Sequence, residues 1–228
     1  MARTPGSAKA DAGSRDRIID AFLALLGERP FDQIALGDVA ARAGVSLGEL
    51  RAGFGSTFDM IAGFVRRTDE AVLAGGAEGV TGDDMADQPA RDRLFDVLMR
   101  RLDVLGPHRA AVRSLARSAR RDPLLALGLN KLAVRSQQWM MAAASIETAG
   151  FRGRVRAQGL ALLFARVLNT WLSDEDPGLA RSMAELDREL ARGEQALGLL
   201  DRVCRIAACS RRPRRRYEQP EPETPIAA

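Results

Sequence analysis

An all-α fold of about nine helices follows from three features of the 228-residue sequence. Apolar residues recur at helical spacing along almost the whole chain, strand-type alternation is nearly absent, and Gly/Pro breaks cut the sequence into helix-sized pieces. The expected arrangement is a three-helix head with a helix-turn-helix near the N-terminus, followed by a larger helical domain. With 46% hydrophobic and 28% charged residues the chain can bury a sizeable core. Collagen, a coiled-coil rod and wholesale disorder are excluded by the same composition.

Residues 1–13 are small and polar and are expected to form a disordered arm. A first helix is predicted from about Ser14 to Gly27, with Ile18, Phe22, Leu25 and Leu26 on one face, and Glu28-Arg29-Pro30 closes it. Two short helices follow, near Leu36–Ala43 and Leu47–Gly53, joined by the tight turn Ala43-Gly44-Val45. Ser46 and Glu49 have the spacing of a capping box, in which hydroxyl and carboxylate satisfy each other's orphan backbone amides. Ser56-Thr57-Phe58-Asp59 opens a longer fourth helix that ends near Gly75-Gly76, so the head spans 14–75.

From Gly75 to Gln88 the composition turns to Gly, Asp and small residues, which marks a loop and a domain boundary. The second domain, 89–208, starts where Pro89 can open a fifth helix with Phe95, Leu98, Leu102 and Leu105 on its apolar face. Gly106-Pro107 breaks it, and a sixth helix runs to about Arg121. Asp122-Pro123 precedes a seventh to roughly Ala149, and an eighth covers about Arg152 to Ser173. A ninth carries Leu179, Met183, Leu186, Leu190, Leu197 and Leu200 until about Ala208. The Arg- and Pro-rich tail 209–228 cannot pack a core and is expected to be disordered.

The pI near 9.8 and net charge of +4 invite a nucleic-acid partner. Two of the 34 basic residues, Lys9 and Lys131, are lysines, and the rest are arginines. The excess is not where a DNA-binding head would hold it. Residues 1–74 carry nine basic and ten acidic side chains, 75–210 carry 20 and 17, and 211–228 carry five and three.

Three short helices before a longer one, with a Gly-centred turn between the second and third, form a helix-turn-helix arrangement. At Phe31, Asp38, Val39, Ala40, Ala43, Gly44, Val45, Ser46, Gly48, Leu50, Phe54 and Ser56 the head resembles the DNA-binding head of the TetR family of transcriptional regulators. The resemblance implies a regulator, expected to be a repressor. It would bind double-stranded operator DNA as a homodimer formed through helices eight and nine, and a small apolar ligand would release it. Matched position by position, it implies Ser46, Leu47, Gly48, Arg51, Ala52 and Thr57 as the DNA-contacting residues.

Several of these depart from the family's usual residues. Where the recognition helix commonly offers Lys or Gln, then Thr, Tyr and an aromatic or His, this chain has Leu47, Glu49, Arg51, Ala52 and Gly53. The usual Lys that follows is Thr57, and the Thr and Arg positions of the second helix hold Ala35 and Gly37. Leucine cannot neutralise a phosphate, and Glu49 would repel one unless the capping box turns it inward. Arg51 is therefore the leading base or phosphate contact, against a plain reading as a solvated surface arginine. Arg3, Lys9, Arg15 and Arg17 of the N-terminal arm could add phosphate contacts.

The body offers Trp139, Met140, Met141, Phe164, Leu168 and Trp171 at helical spacings. Such a stripe reads either as core or as an adaptable pocket. Leu98 to Val112, Thr170 to Asp176 and Leu186 to Arg188 resemble the ubiquinone-biosynthesis lipid-binding accessory family, which shares the TetR-like fold. That resemblance implies an apolar ligand tunnel among helices five to eight, with Leu98, Trp139, Met140, Phe164, Leu168 and Trp171 as ligand-binding candidates. It supplies the alternative function: a lipid- or quinone-binding accessory protein that has lost DNA binding. Nine arginines against three aspartates lie between Arg91 and Arg121, with Arg109, Arg113, Arg117 and Arg121 four apart. They form a solvated stripe or, under the alternative, meet an anionic membrane surface.

No catalytic residue is indicated. A single histidine, His108, and the absence of a His/Cys/Asp cluster leave no nucleophile–base pair, no metal site and no cofactor cradle, so no enzyme is expected. Cys204 and Cys209 would point about 140° apart on a helix, a poor disulfide. No apolar segment is long enough to span a bilayer and no signal peptide is visible, so a cytoplasmic location is expected.

Overall fold

A computed structural model describes residues 5–77 and 88–210. Among these residues it holds nine α-helices, two 3-10 turns and no strand: α1 (Pro5–Glu28), α2 (Leu36–Ala43), α3 (Leu47–Gly53), α4 (Thr57–Ala77), α5 (Ala90–Leu105), α6 (Arg109–Ala119), α7 (Pro123–Ala143), α8 (Gly150–Trp171) and α9 (Ala180–Ser210).

The head is built on α1, whose Ile18, Ile19, Phe22, Leu25 and Leu26 are buried at i, i+3, i+4 spacing against Val39, Leu50, Phe54 and Met60. After Pro30 a 3-10 turn, Phe31–Gln33, seats the Phe31 ring edge-on against Phe22, with centroids 6.4 Å apart. Gly44 ends α2 in the left-handed region at φ 64°, ψ 38°. Its neighbour Val45 donates an amide hydrogen bond back to the Ala40 carbonyl, closing the helix end where a side chain on residue 44 would be strained.

Head and body are joined where α1 packs along α6 and at two further places. One is α4 itself, which packs on both α5 and α7. The other lies at the Pro30 turn, where Ser114 Oγ donates to the Arg29 carbonyl (3.1 Å) and Ser118 Oγ accepts from the Phe31 amide (3.2 Å). At Gly27 α1 lies against α6, where an added Cβ would make an ordinary contact with the Ala110 methyl at 3.5 Å.

In the body, Leu98, Leu102, Met140, Met141, Phe164, Val167, Trp171 and Leu186 are buried in the common core. Asp122 caps α7 by accepting from the Leu124 and Leu125 amides, with Pro123 in the first turn. Asp174 is buried between α8 and α9 and accepts from the Ser182 amide (2.8 Å) and hydroxyl (2.6 Å). The Ser182 hydroxyl and then the backbone amides hold its carboxyl below the ordinary carboxylate range against the opposing effect of burial.

Several boundaries differ from expectation. Helix α1 starts at Pro5, so residues 5–13 are helical rather than a disordered arm, and positions 1–4 lie outside the described residues. Pro89 is the residue before α5 rather than its first residue, and Gly106-Pro107 forms a 3-10 turn rather than a clean stop. The seventh helix ends at Ala143, not near Ala149, because Ser145 turns left-handed at φ 55° and the Ile146 amide returns to the Met141 carbonyl. Helix α9 reaches Ser210, so residues 209 and 210 are helical; the rest of the expected disordered tail, 211–228, lies outside the described residues, as do loop positions 78–87.

Candidate nucleic-acid interface

Helix α3 is only seven residues long, below the length that persists alone in water. Two features hold it. Leu50, its one buried side chain, points into the head core. The capping box closes its start: the Glu49 amide donates to Ser46 Oγ (3.2 Å), while the Ser46 amide and hydroxyl both donate to Glu49 Oε2 (2.8 Å each). The Ser46 amide and then its hydroxyl hold the Glu49 carboxyl below its ordinary range, with Arg17 adding a smaller pull in the same direction. Glu49 is thus turned back onto the helix start, yet it stays ionised.

Opposite Leu50 the helix is open. Ser46, Leu47, Gly48, Arg51 and Ala52 are all exposed, and Thr57 is half-buried at the start of α4. The structure therefore gathers the first five predicted residues on one outward-facing helix, with Thr57 just beyond it. Leu47 is 60% exposed, and Leu36 at the start of α2 is 43% exposed.

The cations of the head are largely occupied. Arg42 pairs with both oxygens of Glu28, Arg29 with Asp38, Arg67 with Asp16 and Asp20, and Arg66 more loosely with Glu70. Arg51 makes no ion pair among the described residues. Arg15, expected as an arm residue reaching for phosphate, instead donates to the Gly53 carbonyl (2.6 Å) and lies 4.5 Å from the Phe54 ring centroid. It closes the end of α3, a role the sequence reading missed. The signal was there: Arg15 precedes Ile18, Ile19 and Phe22 by three, four and seven residues, the spacing of the buried face.

The structure separates one of the six ligand-binding candidates, Trp139, from the other five. Leu98, Met140, Phe164 and Trp171 are buried and Leu168 half-buried in the core. Arg101 and Arg109 lie over the Phe164 and Trp171 rings, at 5.6 and 4.8 Å. Trp139 is 59% exposed and lines a different space, a cleft of about 650 Å³ between head and body that also touches Phe54, Gly63, Asp69, Leu132 and Arg135. Residues 139 and 140 are about 100° apart on a helix, so when Met140 turns inward Trp139 faces out.

The arginine stripe also reads differently in three dimensions. Arg109 donates to the Trp171 and Asp174 carbonyls and Arg113 to the Leu172 carbonyl, so both satisfy carbonyls left open at the end of α8, and Arg120 donates to Asn169. Arg101 is buried on Asp69, which also accepts from Ser136 Oγ (2.6 Å), tying α5, α4 and α7 together. His108 stacks edge-on against Phe64 at 5.2 Å; burial and then the nearby Arg67 lower its pKa, keeping it neutral. No group of three or more potential metal ligands occurs among the described residues.

No family model and no curated protein matches the chain. Solved structures do. A TetR transcriptional regulator from Nitrosomonas europaea superposes with a TM-score of 0.60 at 24% identity, covering 79% of this chain and 98% of that one. Its fold is the TetR-regulator fold. A TetR transcriptional regulator from a Rhodococcus species gives a TM-score of 0.58 at 20% identity, over 80% of this chain and 96% of that one. Both likenesses run from the TetR-like head through the body, since each covers nearly all of the other protein.

Proposed function

We propose that this chain is a TetR-like transcriptional regulator, a repressor that binds operator DNA as a homodimer. The observation that carries the reading is α3: a short helix locked by Leu50 and a capping box, with its other face open and Arg51 unpaired among the described residues. In a helix-turn-helix such a helix enters the major groove. Ser46, Leu47, Gly48, Arg51, Ala52 and Thr57 form the contact surface. The Ser46 hydroxyl is already engaged by Glu49, so Arg51 is the principal polar contact.

Dimerisation through α8 and α9 is supported by exposed apolar residues there: Phe151 (73%), Val155 (37%) and Leu162 (53%) lie along one stripe of α8, and Met183 (40%) lies on α9. A small apolar ligand enters the body by displacing the Met140–Phe164–Trp171 packing, methionine being the adaptable member. Release follows because the two heads then no longer fit successive major grooves. The protein works in the cytoplasm, where its DNA is, and acts without catalysis or cofactor. No described helix is long and apolar enough to cross a membrane.

Selection from a random duplex library at low salt, followed by gel shift, tests this. Enrichment of a palindrome, with binding lost in Arg51→Ala, is expected; no enrichment over competitor sinks the reading.

One observation favours the lipid- or quinone-accessory alternative. The head's arginines are mostly paired and Glu49 stays ionised at the start of α3, which weakens attraction to phosphate. Native mass spectrometry of the purified protein decides it, since that alternative requires a co-purifying isoprenoid or lipid.

A further inference from the structure

The open face of α3 has an unusual chemistry for a helix that enters a DNA groove. Leu47, the first residue of the helix, is 60% exposed. Gly48 has no side chain, Glu49 is bound back onto Ser46, Leu50 is turned into the core, and Ala52 offers a methyl group. Among the side chains of α3, only Arg51 leaves hydrogen-bond donors uncommitted. The N-terminal residues of a recognition helix are the ones that reach base edges. Here that place is held by a branched hydrocarbon.

In the major groove the apolar group on a base edge is the C5-methyl of thymine; the other distinguishing groups are donors or acceptors. Pressing leucine against those would strip them of water without a replacement partner, a cost that disfavours guanine, adenine and cytosine at the same position. We propose that Leu47 reads the C5-methyl of one thymine in each operator half-site, so that sequence preference rests on a methyl contact as well as on Arg51. The inference depends on the DNA-binding reading above and names the base that reading leaves open.

The methyl group is the whole difference between thymine and uracil, so a deoxyuridine scan tests the contact directly. Full-length protein is titrated by fluorescence anisotropy, at one fixed low salt, against the duplex enriched from a random library, with each thymine replaced in turn by deoxyuridine. One position per half-site is expected to lose about fourfold in affinity, and about fifteenfold when both half-sites are changed. 5-Bromouracil, whose bromine is close to a methyl in size, restores the loss. Leu47→Ala shrinks the thymine–uracil difference at that position to under about twofold.

If every deoxyuridine substitution leaves affinity within about twofold, or if Leu47→Ala keeps the full penalty, the inference is overturned while DNA binding stands. If no duplex is enriched, both readings fall together.

Discussion

Replacing Leu50 by alanine separates two ways in which the head can be stable. Leu50 is 3% exposed and is the sole buried side chain of a seven-residue helix. Truncation removes about three methylene equivalents, worth roughly 2.4 kcal/mol of transfer free energy, and the cavity left behind raises the cost to about 3 kcal/mol. With its anchor gone, α3 retains only its capping box and the Arg15 hydrogen bond, too little for a helix of this length. The loss should therefore appear first as local opening. Native-state hydrogen exchange reads this at the Leu50 and Phe54 amides, which donate to the Ser46 and Leu50 carbonyls. Their exchange should accelerate by about two orders of magnitude in Leu50→Ala, while amides of α5, α7 and α8 change little. An equal acceleration throughout the protein, or none at α3, refutes the reasoning, because α3 would then open only with the whole domain.

Glu49→Gln keeps a hydrogen-bond acceptor at the capping box but removes its charge. Because the Glu49 pKa is lowered in the folded state, its contribution is complete above the unfolded value of about 4.3 and disappears as pH falls through the folded one. The stability gap between wild type and Glu49→Gln should be widest near neutral pH and close in acid; a gap constant with pH in urea denaturation contradicts this. At the buried pair, Arg101→Met alone should cost about 3–5 kcal/mol by stranding the Asp69 charge, and Arg101→Met with Asp69→Leu should recover most of it, as thermal unfolding can show. Trp171→Ala should cost about 3–5 kcal/mol and Trp139→Ala less than about 1 kcal/mol, by chemical denaturation. Equal losses would place both rings in one core.

The head was the most legible part of the sequence because its signals are local. Gly44, Ser46 and Glu49 sit within six positions and each acts on its own backbone, so α2 and α3 have the bounds expected of them. Helix α1 begins earlier than expected because residues 5–13 are small and polar and carry no apolar stripe from which to read a helix. Periodicity marks the hydrophobic stripe of α7 but not its sides, so Trp139 and Met140 look alike in the sequence although one faces out and the other in. The spacing of Arg109 and Arg113 identified a face, but the carbonyls they bind belong to the end of α8, about sixty residues further along, and no local pattern reports that meeting.

The grip on the Pro30 turn has a mechanical consequence. Ser114 and Ser118 lie one helical turn apart on α6 and hold the chain on both sides of the proline, while α1 packs along α6 and α4 packs on α5 and α7. A piece gripped along a helix and at further points beyond it has no free axis of rotation. The head therefore cannot turn independently of α6: a shift of α6 is handed to α1, and through α1 to α3, which packs on it.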